Sequence, residues 1–356
     1  MKIAIGLSGG VDSAVTLALL KEQGHSVCGI TMKIWEDGRY QGGPTDACFG
    51  PQEADDIHAA TALCKQLSVP YHVFDCSHAY EQIVVDYFRK EYLLGHTPNP
   101  CVRCNSLMKF GVLLNLARQS GIDFDAFATG HYARVEKEGD RWSLRKGVDQ
   151  AKDQSYFLYR LKQHQLERIL FPLGTLTKQE VRNHARRLQL GVELKKDSQD
   201  FYSGAYQELL QTPAKTGAIV DRNQKVLGTH TGHWNFTIGQ RKGLHVSGQK
   251  RPLYVVAINA CRNEVVVDDH ASTRHYRIRL TACNWVSKSP ESINRTVEVK
   301  LRSASIPVPA EWIPTATAKT GELYFPMGTH AATQGQSAVL YDRDLLIGGG
   351  VIDSVA

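Results

Sequence analysis

The sequence lacks long apolar runs, and only Met1 and Lys2 precede the first predicted strand. No hydrophobic stretch approaches the about 20 residues that a membrane-crossing helix needs. A secretory signal peptide has no room before that strand. Internal repeats and low-complexity segments are absent too, and the eight cysteines are scattered apart from one close pair. These features predict a cytoplasmic protein with mostly reduced thiols and no membrane partner.

Two common nucleotide-binding motifs are also absent from the N-terminal segment. The glycine-rich turn Ser8–Ser13 (SGGVDS) does not end in the Gly-Lys-Ser/Thr of the Walker loop. It also lacks the Gly-x-Gly-x-x-Gly of the dinucleotide-binding fingerprint. The turn does follow an apolar run at Ile3–Leu7, which predicts a buried strand, and it precedes a helical pattern over Ala14–Gln23.

A turn between a strand and a helix N-terminus exposes backbone N–H groups that bind anionic oxygens. Ser8 and Ser13 add hydroxyl donors, and Asp12 can hold a divalent metal ion on phosphates. A tight turn without a ligand is the alternative, but the flanking serines and the aspartate favour phosphate binding. Here the chain resembles the ATP pyrophosphatase (PP-loop) family, whose signature is Ser-Gly-Gly-x-Asp-Ser. The resemblance implies that ATP is cleaved between its α- and β-phosphates and that an oxygen of a second substrate is adenylated.

The length of 356 residues predicts two or three domains. In the first half, predicted strands at 27–32, 71–74 and 126–129 alternate with helical patterns, which indicates an α/β fold with a doubly wound parallel sheet. From about Gly217, short β-branched runs indicate two small β domains, the last barrel-like. We therefore predict a catalytic domain at 1–205, a central β domain at 206–268 and a C-terminal β-barrel domain at 269–356.

The segment Thr97–Asn105 contains two prolines and the close cysteine pair, Cys101 and Cys104. The prolines predict a stiff loop, and a helix start beyond it, with Arg103 and Lys109 nearby, predicts a lowered pKa for the Cys104 thiol. A structural zinc site needs a second pair, and a thioredoxin-like redox pair does not fit the proline positions. A nucleophilic or sulfur-carrying thiol and an iron–sulfur cluster with one open iron both stay open.

Further segments extend the resemblance over nearly the whole chain, toward the branch of the family that thiolates tRNA. Besides Ser8–Ser13 and Thr97–Asn105 they are Met32–Trp35, Lys109-Phe110, Ala128–Tyr132, Lys152–Leu158, Phe171–Gly174, Gly239–Leu244 and Gly335–Ala338. This resemblance implies 2-thiolation of the wobble uridine of tRNA. ATP adenylates the C2 oxygen, and a sulfur nucleophile then displaces AMP to give 2-thiouridine.

The resemblance also implies the site residues. Those for ATP, bound with Mg²⁺, are Gly6, Leu7, Ser8, Gly9, Gly10, Val11, Asp12, Ser13, Met32 and Gly130. Those for the target base are Asn99, Pro100 and Cys101, and the catalytic residues are Cys104, Cys101 and Asp12. Those for the anticodon stem-loop of tRNA are His131, Lys152, Asp153, Gln154, Arg241, Lys242, Arg302 and Gln336.

One position departs from the pattern of that branch. Tyr202 stands where the common form has a second cysteine that carries a persulfide, and a phenol cannot carry this sulfur. Cys101 and Cys104 are then either the persulfide and disulfide pair themselves or ligands of a 4Fe–4S cluster. The cluster, which we favour, needs a third thiolate, with Cys48 as first choice and Cys76 as second.

The sequence does not name the sulfur donor, which is a persulfide carrier protein, a cysteine desulfurase or free sulfide. The formal net charge of +6 is compatible with tRNA binding and equally with a solvated surface. Two other functions stay open. One is an ATP pyrophosphatase acting on a small molecule, such as an amide-forming synthetase, and the other is a catalytically decayed tRNA-binding protein.

Overall fold

The computed structural model describes residues 1–43, 47–193, 195, 200–248, 251–330 and 332–356. Two wide, π-helical stretches lie at Glu81–Val85 and Cys104–Val112. None of the helices in these ranges has the length and apolar character needed to cross a membrane. The α-helices are α1 (Val11–Glu22), α2 (Glu53–Gln66), α3 (Ser77–Tyr80), α4 (Asp86–Leu93), α5 (Pro100–Arg103), α6 (Leu113–Gln119), α7 (Gln163–Leu166), α8 (Lys178–Arg187) and α9 (Tyr206–Leu210).

The strands divide into an N-terminal set up to Tyr202 and a C-terminal set from Gly217. The first set is β1 (Lys2–Gly6), β2 (Ser26–Lys33), β3 (Ala47–Phe49), β4 (Tyr71–Asp75), β5 (Ala126–Ala128), β6 (Ala133–Glu138), β7 (Arg141–Lys146), β8 (Ile169–Leu170) and β9 (Asp200–Tyr202). The second set is β10 (Gly217–Val220), β11 (Val226–His230), β12 (Tyr254–Asn259), β13 (Glu264–Asp268), β14 (His275–Trp285), β15 (Thr296–Lys300), β16 (Val308–Pro314), β17 (Gly321–Thr329), β18 (Ser337–Asp342) and β19 (Leu345–Val355).

These elements form two compact units. The first unit comprises Met1–Val85, Pro100–Glu208 and Arg343–Ile347. The second comprises Asp86–Asn99, Leu209–Asp342 and Gly348–Ala356. The boundaries of the three predicted domains stay predictions.

The first unit is built on a parallel sheet in the order β4-β2-β1-β5-β8. Ile3 and Ile5 on β1 are fully buried because α1 and α8 pack on this face of the sheet, with Val15 and Val181 in the same apolar cluster. The predicted α/β fold with a parallel sheet is therefore confirmed. Since β1 is the central strand, the loop that follows it lies at the middle of the carboxyl edge, where ligands bind in such sheets.

An antiparallel hairpin, β6–β7, is an element of the first unit that the sequence did not predict. It pairs Ala133 with Lys146 and Glu138 with Arg141, and Gly139 supplies the positive φ of its turn (58°). The charged residues near the tip hide the alternation by which a half-buried strand is recognised.

The prediction of a stiff loop across Thr97–Asn105 is wrong from Pro100 onward. Pro100 is the first residue of α5, and the helical path continues through the wide turns of Cys104–Val112 to a kink at Phe110 (φ −98°, ψ 15°). A proline is well suited to the first helical position, because its fixed φ matches the helix and no N–H is needed there.

The second unit contains a four-stranded sheet and a closed barrel. The sheet has the order β11-β10-β13-β12, and its core includes Ile219, Val255 and Val265. The barrel runs β14-β17-β16-β15-β18-β19 and is closed by pairing between β14 and β19. Two small β structures ending in a barrel-like one were predicted, and this part of the fold class is confirmed.

Candidate functional site

The turn after β1 leaves the start of α1 open to an anion. Gly10 is the N-cap residue, with extended dihedrals (φ −89°, ψ 167°) and no capping side chain, so the first-turn N–H groups have no side-chain acceptor. Gly9 has a φ of 70°, and a Cβ there would lie 2.7 Å from the backbone oxygen of Asp56. Glycine at position 9 is therefore required both by conformation and by space.

The two serines of the turn have different surroundings. The Ser13 hydroxyl accepts a hydrogen bond from the Ser8 backbone N–H at 3.2 Å and donates one to the Gly10 carbonyl at 3.0 Å. Ser13 is buried, whereas Ser8 is exposed. The Ser13 side chain thus shapes the loop, and the hydroxyl of the exposed Ser8 lies 3.4 Å from the Ser13 hydroxyl.

A buried cation lies at the carboxylate of Asp12. The Lys178 Nζ contacts Asp12 Oδ1 at 2.8 Å and Oδ2 at 2.9 Å, and the Tyr132 hydroxyl donates to Oδ1 at 2.8 Å. The lysine side chain is only 9% exposed. Gln154 holds Tyr132 in turn, because its Oε1 accepts the Tyr132 backbone N–H at 3.0 Å. The aspartate that was predicted as a metal ligand is therefore already paired with an ammonium group.

The backbone at Gly130 presses directly on the start of α1. A Cβ at this position would lie 2.7 Å from the carbonyl carbon of Asp12 and 2.9 Å from the backbone nitrogen of Ser13. Met32, another predicted ATP residue, is half-buried near the carboxyl end of β2, which pairs with β1. Both positions therefore lie at the sheet edge that carries the Ser8–Ser13 turn.

His131 is buried beside this turn rather than exposed to a large partner. Its Nδ1 is 2.7 Å from the Thr129 hydroxyl, and its ring packs against Phe110 and Phe171. Burial, and then the positive charge of Lys109, hold the pKa of His131 well below its usual range. The imidazole is thus neutral, and its predicted contact with tRNA stays a prediction.

Three thiols of the first unit lie within electrostatic range of one another. Cys101 and Cys104 are half-buried on the helical stretch that begins at Pro100, and Cys48 is exposed on β3. Burial raises the pKa of Cys101 and Cys104, the latter to about 11, and the charge of Cys48 raises both further. The expectation of a lowered Cys104 pKa is therefore wrong for this structure. Cys104 follows α5 instead of starting a helix, so burial outweighs the nearby cation.

Lys109 acts electrostatically on the cysteine pair and on His131. Its charge lowers the pKa of Cys101, Cys104 and His131, so its ammonium lies within electrostatic range of all three. His131 follows Gly130, whose backbone packs against the start of α1. One cation thus acts on the cysteine pair and on the histidine that follows Gly130.

Tyr202 occupies a closed aromatic environment. β9 pairs in parallel with β3, with Phe49 opposite Tyr202 and their rings 5.8 Å apart. The phenol donates to the carboxylate of Glu208, which also accepts the backbone N–H of Gln41. Burial and then the Glu208 carboxylate raise the pKa of Tyr202, so the phenol stays protonated.

Of the segment 197–203, residues 197–199 lie outside the described residues.

The predicted tRNA residues of the first unit have structural contacts of their own. Asp153 accepts the backbone N–H groups of Gly147 at 3.2 Å and Ser155 at 3.1 Å, which fixes the turn before Gln154. Lys152 is half-buried next to it. This turn therefore supports Tyr132, and its contact with tRNA stays a prediction.

In the second unit, the loop before Pro100 is held by the barrel. The Gln336 Nε2 donates to the Pro98 carbonyl at 3.2 Å, and the Arg302 guanidinium donates to the Thr333 hydroxyl at 2.9 Å. Arg241 and Lys242 lie in an exposed turn. Gln336 and the predicted base contact Asn99 are thus brought into one neighbourhood, and their roles with tRNA stay predictions.

Three residues of this arrangement were not predicted as site residues. Lys178 gives no signal in the sequence, because it lies inside the Thr177–Glu180 capping box and resembles an ordinary surface lysine. Lys109 was noted only as a charge near Cys104. Glu53 accepts the backbone N–H groups of Ile34 and Trp35, and burial raises its pKa to about 7. The separation of 166 positions from Asp12 hides Lys178 in particular.

Comparison with known proteins gives matches along the whole chain. Residues 1–202 match the tRNA methyl transferase HUP domain, residues 208–269 the tRNA methyl transferase PRC-barrel domain and residues 275–352 the aminomethyltransferase beta-barrel domain. The tRNA-specific 2-thiouridylase MnmA of Endomicrobium trichonymphae is 44% identical over 99% of this chain and 99% of its own length. The enzymes of the same name from Geotalea uraniireducens and Zymomonas mobilis are 43% and 38% identical over 99% of this chain and 95% and 93% of theirs.

The suspected resemblance is thereby confirmed at full length. The parallel sheet, the Ser8–Ser13 turn at its edge and the two β structures that follow agree with the three matched regions. The chain belongs to the tRNA-specific 2-thiouridylase family.

Proposed function

We propose that this chain adenylates the C2 oxygen of the wobble uridine of tRNA with ATP and then replaces that oxygen with sulfur. As a member of its family the chain is a tRNA sulfurtransferase that acts in 2-thiolation. The observation that supports the two-step chemistry is that Lys109 acts electrostatically both on the cysteine pair and on His131, which follows Gly130 beside the start of α1. We also propose the cytoplasm as its location, since all eight cysteines are free thiols.

In the first step, the uridine O2 attacks the α-phosphorus and pyrophosphate leaves. Charge grows on the leaving phosphate oxygens, and the N–H groups at the start of α1 stabilise it. Asp12 places a carboxylate in the first turn of α1, and a carboxylate together with the phosphate oxygens of ATP is a usual donor set for Mg²⁺. When bound, the ion neutralises the departing pyrophosphate. Lys178, paired with Asp12, adds a fixed positive charge close to the same turn.

In the second step, a sulfur nucleophile attacks C2 and AMP leaves. AMP is a far better leaving group than the free carbonyl oxygen, which is why adenylation must come first. The target base has to reach the site unstacked, and a single-stranded anticodon loop permits this at low cost. Cys104 is the thiol that we assign to this step, and Lys109 stabilises its thiolate.

The described thiols do not fit a preformed iron–sulfur site. Cys48, Cys101 and Cys104 interact electrostatically, yet among the described residues no three His, Cys, Asp or Glu side chains converge closely enough to hold a metal ion. We therefore derive no step through a 4Fe–4S cluster. Anaerobic purification followed by iron and sulfide analysis tests this choice. Stoichiometric iron that supports thiolation would restore the cluster interpretation.

We propose the following contacts with tRNA. Arg241, Lys242, Arg302 and Lys152 are the cations for its phosphates, whereas Asn99 and Gln336 contact the region of the target base. Three classes of sulfur donor stay predictions, namely a persulfide carrier protein, a cysteine desulfurase and free sulfide.

Pyrophosphate release from ATP, measured with and without tRNA, tests the proposed function. Release that depends on tRNA is expected. Release without tRNA would instead indicate a small-molecule pyrophosphatase, and no release under anaerobic, metal-replete conditions would indicate a decayed tRNA-binding protein.

Two variants separate the two steps. Asp12→Ala is expected to abolish pyrophosphate release because it removes the metal ligand and leaves Lys178 unpaired. Cys104→Ala is expected to keep tRNA-dependent release but to yield no 2-thiouridine. Retained thiolation in Cys104→Ala would remove the assignment of this cysteine.

A further inference from the structure

The missing cysteine at position 202 leaves the sulfur-transfer step one thiol short. Tyr202 cannot fill the role, because its phenol is buried and donates to Glu208. The strand that carries it, however, pairs with β3, and Cys48 is the central residue of β3. A thiol is therefore present on the strand adjacent to the residue where one is lacking.

Cys48 lies on the open face of β3. Its neighbours Ala47 and Phe49, whose side chains point to the opposite face, are buried, whereas Cys48 is exposed. Phe49 is the register partner of Tyr202, so Cys48 is one residue from the position directly opposite the tyrosine. An external sulfur donor can reach this thiol without opening the aromatic cluster around Phe49.

Cys48 also lies within electrostatic range of the cysteine pair. Its charge acts on both Cys101 and Cys104, and each of those thiols is half-buried. One exposed and two sheltered thiols are thus grouped in the first unit. This division suits a relay in which one thiol meets a donor and another acts where water has limited access.

We propose that Cys48 carries the transferred sulfur as a persulfide, in place of the cysteine that is absent at position 202, and that Cys104 resolves the adduct. This assignment rests on the proposed two-step function. It makes Cys48 a catalytic residue of this chain instead of a cluster ligand.

The steps balance in atoms and electrons. The Cys48 thiolate attacks the outer sulfur of a donor persulfide, takes that sulfur and releases the donor thiolate. The terminal sulfur of the Cys48 persulfide then attacks C2 of the adenylated uridine, and AMP leaves, which gives a uridine–S–S–Cys48 adduct. The Cys104 thiolate attacks the Cys48 Sγ, so the S–S bond of the adduct breaks and 2-thiouridine departs.

This last step oxidises two protein thiols to a Cys48–Cys104 disulfide while the transferred sulfur is reduced. An external dithiol reductant must therefore restore the pair after each turnover. Thiolation without any thiol reductant should stop after a single turnover.

The first test follows sulfur on the protein. Reduced enzyme is incubated with a small-molecule persulfide donor, and its cysteine peptides are analysed by mass spectrometry under non-reducing conditions. The mass of one sulfur atom is expected on the Cys48 peptide. Sulfur on Cys101 or Cys104 with none on Cys48 would overturn the assignment, and this readout needs neither ATP nor tRNA.

The second test uses variants. Cys48→Ser is expected to keep tRNA-dependent pyrophosphate release but to lose at least about 100-fold in thiolation rate. Cys261→Ser is the matched control, since Cys261 is also exposed and lies in the second unit. Wild-type thiolation by Cys48→Ser overturns the proposal, whereas loss of pyrophosphate release by the unmodified enzyme overturns the proposed function instead.

A third variant returns the thiol to the neighbouring strand. Tyr202→Cys in the Cys48→Ser background is expected to recover part of the lost thiolation, because the common form of the family carries its persulfide cysteine at this position. Melting temperature is measured for each variant, since Tyr202 is buried. Recovery supports the relay, and a folded double variant without recovery contradicts the equivalence of the two positions.

Discussion

The Lys178 ammonium contacts both carboxylate oxygens of Asp12, at 2.8 and 2.9 Å, at the turn that we assign to the phosphates of ATP. The two residues are 166 positions apart, and α8 brings the lysine against the start of α1. A nearly buried cation is costly unless it is paired. The pair therefore stabilises the first unit and sets the charge at the Ser8–Ser13 turn.

Replacing this lysine should weaken ATP use. Lys178→Met leaves the Asp12 carboxylate unpaired beside the incoming phosphates, so we expect the KM for ATP to rise at least about tenfold and the melting temperature to fall. Steady-state pyrophosphate release measures the first effect. Arg187→Met on the same helix removes an exposed ion pair with Glu22 and is the control. Equal effects of both variants would show that the position of Lys178 has no special importance.

Adding one methyl group at Gly130 should disable the nucleotide site. Its Cβ would collide with the backbone of Asp12 and Ser13 at less than 3 Å, and neither backbone can yield without moving the start of α1. We expect Gly130→Ala to lose at least about tenfold in kcat/KM for ATP. Gly228→Ala, where the nearest atom is 3.6 Å from the added Cβ, is the control. Normal kinetics for Gly130→Ala would contradict this packing.

Neutralising the exposed turn of the second unit should weaken tRNA binding in a salt-dependent way. Arg241→Gln and Lys242→Gln each remove one cation from an exposed segment, so each should lower the slope of log affinity against log salt by about one. Filter binding at several salt concentrations measures the slope. Arg295→Gln, an exposed arginine that pairs with Glu311, serves for comparison. An unchanged slope would leave Arg241 and Lys242 as ordinary surface charges.

The raised pKa of Glu53 predicts a pH dependence of stability. Burial favours its protonated form in the folded chain, so its contribution is fully present below the unfolded value of 4.5 and is lost as the pH rises through about 7. The shift corresponds to at most about 3 kcal/mol. Glu53→Gln should therefore flatten the decline of stability between these pH values, which urea unfolding at stepped pH will measure.

Glu180→Gln is expected to change the pH dependence of stability in the direction opposite to Glu53→Gln. Hydrogen bonds from the Thr177 backbone and side chain lower the pKa of Glu180, so its contribution to stability is present above the unfolded pKa and is lost on acidification.

If Glu53→Gln leaves the decline of stability between pH 4.5 and 7 as steep as in the parent chain, Glu53 does not titrate there.

Local patterns in the sequence predicted the first sheet and the turn between β1 and α1 because each depends on adjacent residues. Ile3–Leu7 is a short apolar run, and Gly9 is needed for a backbone conformation that the turn itself creates. The β6–β7 hairpin was missed because its half-exposed strands carry charges. The proline-braced loop was misjudged because Pro100 fits a helix start as well as a loop.

Residues of the candidate site could be predicted only where they lie next to one another in the sequence. Ser8–Ser13 and the Cys101–Cys104 pair are contiguous, so the sequence indicates them directly. Lys178 reaches Asp12 through the packing of α8 on α1, and no spacing in the sequence encodes that distance. The thiol pKa of Cys104 was predicted in the wrong direction because burial, which only the fold determines, outweighs the charge of Lys109.

The short parallel ladder between β3 and β9 places Cys48 and position 202 on adjacent strands. In our proposal the sulfur-bearing group lies on one strand of this ladder here and on the other strand in the common form of the family, although the two segments are more than a hundred residues apart in the chain. An engineer who wishes to relocate the sulfur-bearing atom in a related enzyme would therefore begin with the strand that pairs with the original one.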